Sequence, residues 1–238
     1  MAITSPGGVV DYHLASQTGL LSINALQPVT LMAWVNVDWN YAGVLSILGT
    51  YNTATSGGTA IQIGIRTGVN AGNVLIWTWG GTILVSSAGV IVPNSNDWCH
   101  VAYTFDGTTH KLYINGQFAN SATTAQQAGT ITAVYVNGYP GGGSNETGPF
   151  AVDDISYFSR ELSAAEVLTA YTTGGDRDGL VYGRTASFLC NEGVIGTVAS
   201  NVTDLSGLLN NLTPIGAATG VNFTYSVSTI NRDTRNAL

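Results

Sequence analysis

In the stretch "NDWCHVAYTFDGTTHKLYINGQF", Asn96 to Phe118, a cysteine stands beside a histidine, Cys99 and His100, directly after Trp98. A thiol next to an imidazole is the raw material of nucleophilic catalysis when a third group orients the base. The spacing argues against that chemistry, because neighbouring residues of a strand point to opposite faces and Cys99 and His100 are expected to face apart. A second group is Asp153-Asp154. If Ile155 and Tyr157 face a core, Asp153 shares their face, and a carboxylate there must be hydrogen-bonded or metal-bound, since an unpaired buried charge is costly; Asp154 points to the opposite face. A third group is aromatic. Trp77 and Trp79 are two apart and share one face of a predicted strand, while Tyr139 and Asn145 flank the Gly141-Gly142-Gly143 turn. Flat rings of this kind stack on the apolar faces of sugars while amides and carboxylates bond the hydroxyls. Core packing is the competing reading for every tryptophan here, and is the expected one for Trp34 and Trp98.

Other candidates read as architecture. Asp106-Gly107 and Asn115-Gly116 each sit between two alternating apolar runs and read as hairpin turns, so Asp106 is expected to be a turn carboxylate. The chain has no Gly-Lys-Ser/Thr phosphate loop, no Gly-x-Ser-x-Gly elbow and no zinc-ligand spacing.

The elements that position these residues have a period of two. Leu31, Ala33, Val35 and Val37 alternate with Met32, Trp34, Asn36 and Asp38, and Ile61, Ile63 and Ile65 alternate with Gln62, Gly64 and Arg66, so each run reads as a strand with one buried face. Further strands are expected near 9–14, 44–51, 74–79, 83–86, 100–105, 111–114, 132–138, 152–158, 185–190 and 222–227, separated by Gly-rich turns. The one helix signal is "RELSAAEVLTAYTTGG", where Ser163 and Glu166 have capping-box spacing, Ala164 to Tyr171 can form about two turns and Gly174 offers a stop. The expected fold is all-β: a two-sheet antiparallel jelly-roll sandwich with one short helix.

Composition limits the partners. Only 9% of residues are charged against roughly 25% in a typical soluble protein, and the net charge is −7. The chain holds a single lysine, Lys111, and no arginine cluster, which disfavours a nucleic-acid partner. The opening Met-Ala-Ile-Thr-Ser-Pro-Gly-Gly lacks the features of a signal peptide and no run has the length to span a membrane, so synthesis in a cytoplasm without membrane insertion is expected. Cys99 and Cys190 could pair, but both sit inside apolar runs and read as buried free thiols.

"VTLMAWVNVD", "WCHVAYTFDGTTHKLYINGQF" and "NGYPGGGSNETGPFAVDDISYFSRELSAAEV" appear in that order. They resemble the early strand, the Trp-x-His-Val-Ala-x-Thr-Tyr-Asp-Gly hairpin, and the loop, strand and helix of the concanavalin A-like lectin/glucanase superfamily, in its laminin G-like and pentraxin-like branch. The resemblance covers most of residues 9–171. It implies a scaffold role for His100. It also implies a calcium site near the rim, for which Asp11 and one of Asp153 and Asp154, helped by oxygens of the 137–145 loop, are the candidates; calcium takes six to eight oxygens. A glucanase of the superfamily carries a Glu-x-Asp-x-Glu strand for two-carboxylate chemistry, and the four glutamates here, Glu146, Glu161, Glu166 and Glu192, form no such pattern. The tail from Leu180 to Ala217 looks like a segment that usually precedes such a domain.

Residues 1–238 are therefore expected to form one domain, with 176–238 completing the sandwich by circular permutation or contacting a neighbouring subunit. The expected function is a non-catalytic binding or structural module. The first setting is a phage virion surface, as a head decoration, fibre or adhesion component in many copies that contacts host glycan; the alternative is a free lectin aided by calcium, and a glycoside hydrolase comes third.

Overall fold

The computed structural model describes residues 2–6, 12–16, 27–37, 44–52, 58–66, 73–78, 81–85, 98–123, 133–136, 149–174, 179–188, 202–206, 208, 211–215 and 222–224. Asp11, Trp79, Tyr139, Asn145 and Cys190 lie outside these residues. The strands in chain order are β1 (Ala2–Pro6), β2 (Tyr12–Ser16), β3 (Val29–Val37), β4 (Val44–Asn52), β5 (Gly58–Arg66), β6 (Asn73–Thr78), β7 (Gly81–Val85), β8 (Cys99–Phe105), β9 (His110–Ile114), β10 (Gln117–Ala122), β11 (Ala133–Val136), β12 (Pro149–Phe158), β13 (Arg184–Phe188), β14 (Thr213–Ile215) and β15 (Asn222–Thr224), with helix α1 (Ala164–Thr173) between β12 and β13.

Every described pairing is antiparallel. The first sheet runs β10-β9-β8-β3-β12-β1-β15, with β13 also paired to β12; the second runs β14-β2-β11-β4-β5-β6-β7. Between them lies one apolar core that includes Leu31, Ala33 and Val35 of β3, Val101 and Tyr103 of β8, Ile61, Ile63 and Ile65 of β5, and Val74 and Ile76 of β6. This is the expected two-sheet sandwich, and the alternation of these strands is what sorts the residues into it. Among the described residues no helix is long and apolar enough to cross a membrane.

The expectation of one buried face is corrected on both sheets. Met32 and Trp34 of β3, and every residue of β8, are buried. Helix α1 supplies the cover on the first sheet: Val167 and Ala170 pack with Leu162 on Met32, Ala102, Tyr113 and Phe158. Farther along that face, Tyr171 packs on Trp34, Trp98 and Ala151. On the second sheet Gln62, Asn73 and Leu75 are buried although they point away from the core row. Polar alternation in the sequence therefore marked which residues face the sandwich interior, and left unseen what covers the other side.

The helix begins as its sequence predicts. Ser163 accepts from the Glu166 amide, the Glu166 carboxylate accepts from the Ser163 amide at 2.8 Å, and Gly174, at φ 68°, ends the helix by donating to the Ala170 carbonyl. It runs two residues past the predicted Tyr171.

Candidate functional site

Cys99 and His100 part as strand geometry requires. Cys99 is buried in the sandwich core, while the His100 ring lies on the other face, 5.5 Å from the Trp34 ring and 6.0 Å from that of Tyr171. The His100 backbone is gripped by Asn115: its N–H donates to Asn115 Oδ1 at 2.9 Å, and its carbonyl accepts from the Asn115 N–H at 2.8 Å. Trp98 and Trp34 belong to the same buried cluster. The stretch thus builds a wall and anchors a turn.

Asp153 and Asp154 depart from the sequence reading. Ile155 and Tyr157 do face the core, but Asp153 pairs with Trp34 and Ser156 with Met32, so β12 advances three residues while β3 advances two. The inserted residue is a β-bulge, which resets the alternation. Asp153 therefore shares the face of Trp34, its strand partner, and not the core face of Ile155 and Tyr157. Asp154 adopts φ 47°, a left-handed conformation that Asp tolerates better than most side chains. The Asp154 N–H donates to Asp153 Oδ1 at 2.9 Å, and the two residues are only 2% and 6% exposed. Two adjacent carboxylates are thus removed from bulk water. Among the described residues no three His, Cys, Asp or Glu side chains gather as a metal-binding set, so this pair supplies at most part of a calcium shell.

The remaining described carboxylates hold structure. Asp106 accepts from the amides of Thr108 and Thr109 at 2.7 and 2.6 Å, and the Thr109 N–H foremost holds its carboxyl below the usual range. Glu161 Oε1 accepts from the Thr104 hydroxyl at 3.2 Å and from Lys111 Nζ at 2.7 Å, and the bond with Lys111 is the main cause of the raised Lys111 pKa. Asp204 accepts from the amides of Ser187 and Ser206, tying the 202–206 segment to β13.

Trp77 lies on the outward face of the second sheet. Its neighbour Ile76 faces the core, and its strand partner is Gln62. The row of cross-strand partners continues from Gln62 to Gly49 and Tyr135 in one direction and to Thr82 in the other. Gly49 keeps this row flat: a Cβ there would sit 2.5 Å from the Tyr135 hydroxyl oxygen. Trp77, unlike the fully buried Tyr135, is only half-buried. An aromatic ring that is not fully enclosed on an outward face is the kind of group on which a sugar can stack.

Sequence reasoning missed a second exposed ring. The turn 179–183 carries Val181 and Tyr182 at 78% and 81% exposure, and Arg160 underlies it. Arg160 Nε donates to the Tyr182 carbonyl at 2.8 Å, and its guanidinium lies 5.6 Å from the Tyr182 ring centre and 5.8 Å from that of Phe158. Nη2 reaches Glu166 at 2.7 Å. The signal was present in "GLVYGR", where glycines at 179 and 183 bracket the apolar residues.

Residues 9–168 match the Laminin_G_3 family, described as the concanavalin A-like lectin/glucanases superfamily. No curated protein sequence matches the chain. Among solved structures, a candidate carbohydrate binding protein from Bacteroides ovatus superposes with a TM-score of 0.62 at 15% identity, over 90% of this chain and 58% of that one. A native heptameric SAP-like pentraxin from Limulus polyphemus gives 0.57 at 14% identity, over 94% of this chain and 95% of that one. The binding domain of botulinum neurotoxin serotype D gives 0.54 at 17% identity, over 75% of this chain and 42% of that one. At these identities the structures establish the fold, and the chain spans little more than half the length of the Bacteroides protein. The family match bears out the resemblance drawn from the Trp98–Phe118 hairpin: the chain belongs to the concanavalin A-like lectin/glucanases superfamily.

Proposed function

We propose that the chain is a non-catalytic module that binds neutral glycan at the Trp77 margin of the second sheet. One observation carries this reading: Trp77 is a half-buried ring on the outward face, directly partnered by Gln62. The ring offers an apolar face to a sugar, and Gln62, itself buried, is its cross-strand neighbour. A surface with so few charges favours a neutral ligand over a phosphorylated or strongly acidic one. The non-catalytic part rests on the carboxylates. Glycoside hydrolysis commonly uses two facing carboxyl groups; among the described residues Asp106, Glu161, Glu166 and Asp204 are each committed to a turn, an ion pair, a helix cap or a strand edge, and Asp153 and Asp154 are adjacent and buried. Trp79, Tyr139 and Asn145 belong to the same proposal.

The proposed setting is a virion surface or cell exterior, in many copies. The heptameric Limulus pentraxin, similar to this chain in fold, supports multi-copy assembly. Purified native particles test the setting: the protein found bound to them supports it, and the protein found only free overturns it.

Calcium assistance is the second reading, favoured by the burial of Asp153 and Asp154. Two adjacent carboxylates can contribute oxygens to one divalent cation, whose shell Asp11 and loop oxygens would extend. A glycan array run with calcium and with chelator tests both readings. Binding in both conditions supports a metal-independent site, binding lost in chelator supports calcium, and no binding in either removes the glycan reading.

A further inference from the structure

We propose that the 179–183 turn is a second saccharide-binding element, in which the outward face of Tyr182 stacks on the C–H face of a pyranose while the guanidinium of Arg160 donates to a hydroxyl at its rim. The proposal rests on the reading of the chain as glycan-binding, and adds a site far in sequence from Trp77.

Exposure is the first reason. Tyr182 and Val181 are the most exposed of the large apolar side chains described, at 81% and 78%. Scattered surface apolar residues are ordinary, but this pair is held in place with unusual thoroughness. The Val181 amide donates to the Gly179 carbonyl at 3.0 Å and the Arg184 amide to the Val181 carbonyl at 3.2 Å. The Ser159 amide donates to the Gly183 carbonyl at 2.8 Å, and Arg160 bonds the Tyr182 carbonyl. Gly179 and Gly183 adopt φ 68° and 74°, which other residues reach only with strain. A side chain presented on a fixed backbone loses less entropy when a ligand arrives, and tyrosine has few rotatable bonds to freeze.

The chemistry fits a sugar ring. The Arg160 guanidinium lies over the Tyr182 ring, held there by its ion pair with Glu166, and its five N–H donors exceed the acceptors that fix it. An exposed phenylalanine elsewhere, Phe118, meets the Tyr113 ring edge-on at 5.9 Å. Size favours a saccharide over a protein. Stable protein interfaces use roughly 20–30 residues a side. Val181 and Tyr182, even with the exposed Leu205 and Leu208 near β13, are four side chains, an area matched by one or two sugar rings.

Affinity electrophoresis of the full chain through gels carrying laminarin, xylan, mannan or dextran tests the proposal, with Tyr182→Ala, Tyr182→Trp and Trp77→Ala run beside the parent. Tyr182→Ala is expected to weaken binding of at least one retained polysaccharide about tenfold, the loss of one ring stack, and Tyr182→Trp to restore it. Parent-like retardation of Tyr182→Ala in every gel overturns this site while leaving the Trp77 reading intact. A parent chain that no gel retards overturns both. A changed oligomeric state of Tyr182→Ala on gel filtration, with polysaccharide binding unchanged, assigns the turn to a second copy of the chain and also overturns the proposal.

Discussion

The Tyr157 hydroxyl, on β12 of the first sheet, lies 3.1 Å from the Tyr135 carbonyl oxygen, on β11 of the second. The same hydroxyl is 3.3 Å from the Gly49 carbonyl on β4, so one fully enclosed phenol spans the apolar core between the sheets. A buried hydroxyl that finds its acceptors fixes how the two layers sit, whereas apolar contacts alone tolerate sliding.

Removing that hydroxyl while keeping the ring isolates its contribution. Tyr157→Phe is expected to destabilise the chain by roughly 1–3 kcal/mol, since carbonyls lose a donor in a site closed to water. Chemical denaturation of parent and variant measures it, and an unchanged midpoint rejects the assigned role.

Base acts through the same residues. Burial pushes the phenols of Tyr157 and Tyr103 above their usual value of 10.0, and the Tyr103 hydroxyl is further engaged with His110 Nδ1 at 2.8 Å. A raised folded-state pKa means that the folded chain keeps these protons after the unfolded chain has begun to release them. The stabilisation is thus complete below pH 10.0 and declines as pH rises above it. Titration of the phenolate absorbance is expected to show part of the tyrosines ionising only together with loss of the near-ultraviolet dichroism. Smooth titration of all tyrosines in a chain that stays folded contradicts this.

Acid acts on the helix cap. The hydrogen bond from Arg160 foremost, with those from Ser163, draws the Glu166 carboxyl from 4.5 down to about 2. A lowered folded-state pKa contributes stability that is complete above 4.5 and is lost as pH falls toward 2. Glu166 is partly exposed, so solvent screening holds the effect to about 1 kcal/mol. Glu166→Gln is expected to lose part of the stability difference between pH 6 and pH 3, on the order of that figure, in thermal melts at the two pH values.

The Asn115-Gly116 turn offers a steric test. Both residues adopt positive φ, 49° and 75°, as a tight hairpin requires, and a Cβ on Gly116 would come within 3.0 Å of Leu168 and Tyr171 of α1. Gly116→Ala is expected to cost roughly 1–3 kcal/mol through backbone strain and displacement of the helix. Urea unfolding checks it, and a neutral result separates the turn from the helix.

That turn, the Asp106 turn and the Ser163 cap were all legible because each depends on a few adjacent residues. Asp106 needs only the amides of Thr108 and Thr109, and Ser163 needs only Glu166. What escaped the sequence depends on partners far along the chain. The bulge at Asp154 reverses the face of Asp153, and nothing in "AVDDISYF" marks it, because the extra residue is defined only against β3. Burial of Met32 and Trp34 comes from α1, more than a hundred positions away. β1, β10 and β14 were not among the expected strands; Pro6 ends β1, and β14 is an edge strand paired with β2, places where proline is tolerated. For the candidate site, the pairing of Trp77 with Gln62 required the strand register, and the fixing of Tyr182 required Arg160 from another element.

The central claim, glycan binding at the Trp77 margin without catalysis, is tested most directly by one glycan array that compares the parent chain with Trp77→Ala, both confirmed as folded by circular dichroism. The parent is expected to bind a set of neutral glycans and leave them intact, and Trp77→Ala to bind that set about tenfold or more weakly. Equal binding by the two proteins, no binding by the parent, or cleavage of the bound glycans contradicts the claim.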